Sequence, residues 1–224
     1  MVDRKSRIRS IIYDQGLYQD YLIAERSFKL YREITTSYKD LDKSKIGMAK
    51  ILINLTYNDT VLALNRIYQV KGKDKTRCID WLYEEIKKSD FNIELGDLKK
   101  ESLFHFPTFG FYPEEIALYE NVSDYTFNKR TYWHFLSLES SPPIDEYKLK
   151  LKKIRDKFLA HNEAIELDLS IPHEMVEDLL MHARQVIGFY SLTYGGIHAL
   201  KNGGNISIST DKWVSVYRKF VSTK

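Results

Sequence analysis

The chain has 224 residues, 43% hydrophobic and 29% charged, with ten glycines and five prolines; this excludes intrinsic disorder and predicts one folded domain with a substantial core. A formal net charge of +3 is too small by itself to mark a nucleic-acid-binding protein, so where the charges sit matters more than their sum. The single cysteine, Cys78, excludes an internal disulfide and a multi-cysteine zinc site; no apolar run nears membrane length and MVDRKSRIRS lacks a signal-peptide core, so a soluble cytoplasmic protein without membrane association is expected.

Ile8, Ile11 and Ile12, then Leu22, Ala24, Phe28 and Tyr31, recur at spacings of three and four. They predict helix over the first forty residues with a break near Gly16. From Ser44 to Tyr68 apolar residues are dense on nearly every face, which predicts a central buried helix. KGKDK, Lys71 to Lys75, supplies a turn. Ile79, Leu82, Tyr83 and Ile86 then form one stripe of a helix over Arg77 to Lys88.

Periodicity weakens over residues 90–143, where aromatics crowd into FHFPTFGFYP and only Glu114 to Tyr119 and Lys129 to Leu138 look helical. An irregular, aromatic-rich insertion is expected there. SSPP, Ser140 to Pro143, marks a boundary, because prolines remove donors and push the preceding residue out of the helical region. The next helix runs from Ile144 to about Asn162, with Asp145 and Glu146 suited to its N-terminal dipole. IELDLSIP is an extended connector. Pro172 and Glu174 start a long helix that ends at Gly195 and Gly196. NGGN, Asn202 to Asn205, is a turn, and Thr210 or Asp211 caps a final helix through Phe220.

These elements predict a single all-α bundle of roughly six to eight helices. N-terminal helices occupy 1–89, the irregular insertion 90–143, and the late helix, the long helix and the C-terminal helix 144–224. ILINL, NIEL and NISIS are the fragments that resemble strands.

At about 100° per residue, Leu151, Ile154, Phe158, His161 and Ile165 share a stripe of the late helix, Arg155 lies on its flank, and Asn162 lies above Arg155. A histidine on an apolar stripe is in most proteins a hydrogen-bonded core residue, and a flanking arginine ordinarily extends its head to water. The other histidines lack metal-ligand spacing, and neither a Walker-type loop nor GxGxxG occurs, so no metal and no cofactor is expected. Cys78 in TRCIDW suits a core position. Lys148, Lys150, Lys152, Lys153, Arg155 and Lys157 crowd into ten residues. They form either a solvated helix face or a patch for a phosphate backbone. Arg4, Lys5, Arg7 and Arg9 read as a solvated terminus.

The run Arg155-Asp156-Lys157-Phe158-Leu159-Ala160-His161 resembles the signature of the HEPN superfamily (higher eukaryotes and prokaryotes nucleotide-binding), in which an arginine, commonly followed by Asn, Asp or His, precedes a histidine after four to six residues. Its form with Ala-His-Asn at the end is similar to the HEPN-like branch associated with abortive infection of the U type. TVLALNRIYQ and DKTRCIDWL, Thr60 to Gln69 and Asp74 to Leu82, resemble that branch's N-terminal helical pair.

The resemblance implies a homodimer with facing motif helices and a metal-independent endoribonuclease acting in a toxin or antiviral defence setting, with RNA as substrate and an antitoxin or regulatory protein as a further partner. Arg155 and His161 would be catalytic, Asp156 and Asn162 supporting, and Lys152, Lys153 and Lys157 would meet RNA. Chemistry suits these residue types: the 2′-hydroxyl needs a base, the departing 5′-oxygen an acid, and the phosphate a cation. Histidine titrates near neutrality and arginine grips phosphate oxygens. Six positions leave Arg155 and His161 about 120° apart on an ideal helix, which suits a site assembled from two copies. Two readings compete with this one: a catalytically silent scaffold binding nucleotides or a protein partner, and a structural helical protein.

Overall fold

The computed structural model describes residues 3–69, 78–161, 171–196 and 214–219, with residues 157–161 described through their backbone alone. Among them lie nine α-helices and no strand. Helix α1 (Arg4–Ile12) is capped by Asp3, whose carboxylate accepts from the amides of Lys5 and Ser6. Gly16, at φ 90°, turns the chain into α2 (Leu17–Ser37). The expected break is therefore a left-handed glycine, a conformation that costs other residues energy.

Helices α2 and α3 (Lys43–Ile67) form a long hairpin. Its open end is clamped by Arg66, whose Nε donates to the buried Asp20 carboxylate at 2.7 Å. At its closed end Ile34, Leu41 and Ala49 enclose Tyr217 of the helical segment 214–219, and the Ser37 and Tyr217 hydroxyls bond at 3.0 Å. ILINL lies inside α3 and is helical. Thr56 and Thr60 return their hydroxyls to carbonyls one turn back, so β-branched residues here cost little polar exposure.

Helix α4 (Ile79–Lys88) buries the predicted stripe Ile79, Leu82, Tyr83 and Ile86. Cys78 precedes it in the core, where burial raises its thiol pKa to about 11. The Arg4 and Arg7 guanidinium groups pair with buried Glu85 at 3.6 and 3.0 Å, and Lys5 Nζ donates to the Glu94 carbonyl at 3.1 Å. Arg4, Arg7 and Arg9 are exposed, as expected of a solvated terminus, and two of them also serve Glu85, which lies buried where α4 meets α1 and needs cations.

Residues 90–143 are more regular than their weak periodicity predicts. They contain α5 (Asp97–Phe104), a 3-10 turn (Phe106–Phe109), α6 (Pro113–Glu120) and α7 (Asp124–Glu139). The irregular parts are short. Phe106, Phe109, Phe111, Phe127 and Phe135 converge on Phe189, so burial among rings selects positions that simple periodicity does not. Gly110 follows the 3-10 turn at φ 86°, and a Cβ there would stand 2.4 Å from Gln185 Nε2.

Helix α8 (Pro142–His161) begins two residues before Ile144, because a first-turn proline needs no donor. Helix α9 (His173–Gly195) runs through the middle of the molecule and packs against α1, α2, α3, α4, α5, α7 and α8. Residues Val186 to Tyr194 are buried without interruption. Gly196, in the left-handed conformation, ends the helix as expected. The turns at 71–75 and 202–205, most of the connector and the NISIS fragment lie outside the described residues.

Two other expectations change. The first half of α3 is not buried on all sides: Met48, Ile51 and Leu55 form an exposed line at spacings of three and four. Leu151 and Ile154 of α8 are only 1% and 2% exposed and belong to the monomer core, so these two positions are not available to the expected contact between facing motif helices.

Asn128 holds the turn before α5. Its Nδ2 donates to the Phe91 and Ile93 carbonyls at 3.0 and 2.9 Å, and its Oδ1 accepts from the Tyr194 hydroxyl at 3.1 Å. Asp90 and Phe91 there have φ of 49° and 58°, which non-glycine residues tolerate only when their surroundings compensate. Asn128→Ala is expected to lower unfolding free energy by about 2–4 kcal/mol, because buried polar groups lose their partners. Asn128→Asp should be comparably harmful, since it keeps the acceptor but loses both donors. Urea melts check this, and an Asp variant as stable as wild type would show that the two carbonyl bonds contribute nothing.

Candidate functional site

The first half of α8 divides its residues between core and water. Ile144, Leu151 and Ile154 turn inward, while Leu149, Lys150, Lys152 and Lys153 are exposed. Lys148 lies half-buried between them. Its ammonium meets Glu139, the last residue of α7, at 3.0 Å and Asp145 at 3.5 Å. Burial raises the Glu139 pKa, and Lys148 offsets only part of that cost. Burial, the largest single influence, would lower the Lys148 pKa, but the attraction and hydrogen bond of Glu139 together with the Asp80 and Asp145 charges raise it overall. Lys148 thus belongs to an internal pair, and the patch read from sequence loses one of its free cations.

Behind this pair lies a second buried polar group. The Tyr68 hydroxyl donates to the Leu179 carbonyl at 2.6 Å and bonds His182 Nδ1 at 2.9 Å. With the phenolic proton on that carbonyl, the imidazole donates from Nδ1. Nε2 has no hydrogen bond of good geometry. Burial, and then the nearby Lys148 charge, lowers the His182 pKa to about 4, partly opposed by the Phe135 backbone near the ring. Sequence reasoning set His182 aside because its partner stands 114 positions away and no local spacing signals it.

Tyr68 and Lys148 also line a cleft of about 600 Å³ between the C-terminal end of α3 and the first half of α8. Asn65 contributes from α3, Gln69 from just beyond its end, and Lys152 and Arg155 from α8. Asn65 Nδ2 is committed to the Val61 carbonyl at 2.9 Å. Arg155 is 26% exposed, and its Nε and Nη2 donate to Asp156 Oδ1 at 3.0 and 2.7 Å. Asp156 thus orients the guanidinium and also partly neutralises it. Lys148, Lys152 and Arg155 line the cleft against Asp145, but with Lys148 paired to Glu139 and Arg155 to Asp156 the net positive charge there is small.

Of the predicted site residues, Arg155 and Lys152 come together in the cleft and Asp156 adjoins them. Lys153 is exposed on α8 but does not line the cleft. The backbones of Lys157 and His161 continue α8, which places His161 about 9 Å along the helix axis from Arg155. Their side chains, and all of Asn162, lie outside the described residues. Asn65, Tyr68 and Gln69 enter only through the fold. Among the described residues, no cluster of three or more His, Cys, Asp or Glu is placed to hold a metal, and no helix is long and apolar enough to cross a membrane.

The lowered His182 pKa makes stability depend on pH. Between about pH 6.5 and 4 the unfolded chain binds a proton at this ring that the folded chain refuses, so stability rises with pH across that window. Glu139 acts with the opposite sign, because its folded pKa is raised. Comparison of wild type with His182→Gln isolates the histidine. The stability advantage of wild type should shrink by about 1.4 kcal/mol per pH unit on acidification through the window. Denaturant melts at several pH values check this, and a constant difference would show that His182 charges freely in the folded protein.

No family model matches this chain, and no curated protein or solved structure does either, so its functional reading rests on its own residues.

Proposed function

We propose that this protein is a metal-independent endoribonuclease of the HEPN type, acting as a homodimer in a toxin or antiviral defence setting. The observation that supports it best is the position of Arg155, half-buried beside Lys152 at a cleft on the helix that carries His161. Arg155 and Lys152 hold the scissile phosphate. One His161 takes the proton of the 2′-hydroxyl as its oxygen attacks phosphorus, and the other returns a proton to the departing 5′-oxygen. A 2′,3′-cyclic phosphate and a free 5′-hydroxyl result. Asn162 binds ribose or phosphate, and Lys153 and Lys157 bind flanking phosphates.

The symmetric contact falls on apolar surface that remains exposed, Leu149 of α8 with Met48, Ile51 and Leu55 of α3, the helix that packs against it. An antitoxin or regulatory protein acts by covering the same helices. The grip of Asp156 on Arg155 favours a second reading, a catalytically silent scaffold that binds nucleotides or a protein partner.

Purified protein should cut single-stranded RNA in the presence of chelator and leave DNA intact. His161→Ala and Arg155→Ala should each lose roughly a hundredfold or more in rate. Arg155→Lys should recover little, because an ammonium cannot reproduce the planar two-point grip on phosphate. Cleavage assays on variants with matched thermal midpoints check this; a stable dimer with no activity on any RNA tried would favour the silent scaffold. Light scattering should report a dimer that Leu55→Glu dissociates, and a wild-type monomer would count against the composite site.

A further inference from the structure

Helix α7 carries a second surface, away from the α8 cleft and lined by different residues. Tyr125, Lys129 and Trp133 recur every fourth position and therefore share one stripe. Trp133 is 53% exposed and Tyr125 39%, whereas Trp81 is buried. Two large rings exposed on one stripe form a patch rather than a scattered single residue, and such patches mark contact surfaces. The Lys129 ammonium lies 5.6 Å from the Tyr125 ring centroid, and among the described residues it has no ion pair. Arg130, on the flank of the stripe, is anchored by a bond from Nη1 to the Leu118 carbonyl. These groups, with His134 and Ser137, line a shallow depression of about 590 Å³. His134 stacks on Phe111 with ring centroids 4.0 Å apart, which joins the depression to the aromatic core.

We propose that this face of α7 binds single-stranded RNA, with bases stacked on Trp133 and Tyr125 and phosphates met by Lys129 and Arg130. The two rings stand about 12 Å apart along the helix axis with the ammonium midway. Exposed π-faces alternating with cations are the physical requirement for binding unpaired strands irrespective of sequence, because every base has a face to stack and every linkage a charge. A duplex offers no open base faces, so it binds poorly here. The choice of RNA over DNA rests on the reading of α8 as a helix that acts on RNA; the stacking surface itself does not.

The test is fluorescence anisotropy with a labelled short oligouridylate, using the full chain as wild type and as Arg155→Ala, with oligothymidylate in parallel. Both proteins should bind oligouridylate. Trp133→Ala should weaken binding about tenfold or more, whereas Trp133→Phe, which keeps a ring to stack, should stay within about threefold of wild type. Lys129→Glu should weaken binding and flatten its salt dependence. Trp133→Ala binding as wild type overturns the proposal, as does equal loss in the Ala and Phe variants. Equal affinity for oligothymidylate overturns the choice of RNA. Binding that needs Trp133 in a protein that cuts no RNA supports this surface while rejecting the cleavage mechanism, so the two readings fail separately.

Discussion

The second half of helix α9 has to be enclosed on every side, and the rest of the fold answers that requirement. From Val186 to Tyr194 no residue reaches water, so each direction around the axis must meet another helix. A surface helix needs one apolar neighbour, whereas this one needs a ring of them. Helices α1, α4, α5 and α7 contribute to that ring, as do the α2–α3 hairpin and α8. Several polar groups that α9 carries find partners in that ring, the Tyr190 hydroxyl and His182 Nε2 excepted. Thr193 bonds Ser102 at 2.9 Å, Tyr194 bonds Asn128, and His182 bonds Tyr68. Each bond joins α9 to a different element, so the enclosing ring is held in register as well as packed.

The cleft follows from how α8 joins that ring. Only one side of α8 is apolar enough to enter the core, and Lys148 would be stranded at its edge without Glu139 and Asp145. A buried pair of this kind adds little net stability against an apolar alternative, yet removing one partner leaves the other charged and desolvated. It fixes the rotation of α8 about its own axis. That rotation sets Arg155 and Lys152 at the cleft beside Tyr68 and directs Lys153 to solvent. The exposed lysines then supply positive potential to a chain whose total charge is small.

Aromatic residues serve two ends in this molecule. Phe106, Phe109, Phe111, Phe127 and Phe135 close around Phe189 with edge-to-face, tilted and stacked contacts, a dense core built from short, weakly periodic segments. On the opposite side of α7, Tyr125 and Trp133 face water. One helix thus contributes to the core through Phe127, Thr131 and Phe135, and offers rings to solvent through positions two residues away.

Apolar periodicity by itself determined the all-α class, the break at Gly16, the span of α3, the stripe of α4, the boundary at SSPP and the long helix from His173, because helix formation, proline geometry and left-handed glycine are local properties. The Arg155 to His161 run was legible for the same reason: it lies within two turns of one helix. Tertiary structure decided what local spacing cannot encode. It made most of residues 90–143 helical by burying rings that lack a 3.6-residue repeat, and it turned Arg4 and Arg7 toward Glu85. It also spent Leu151 and Ile154 on the core. Asn65 and Tyr68 reach the cleft, and His182 reaches Tyr68, only because α3, α8 and α9 meet in space; contacts between residues tens of positions apart are selected by burial and charge compensation over the whole chain, and no short window of sequence contains them.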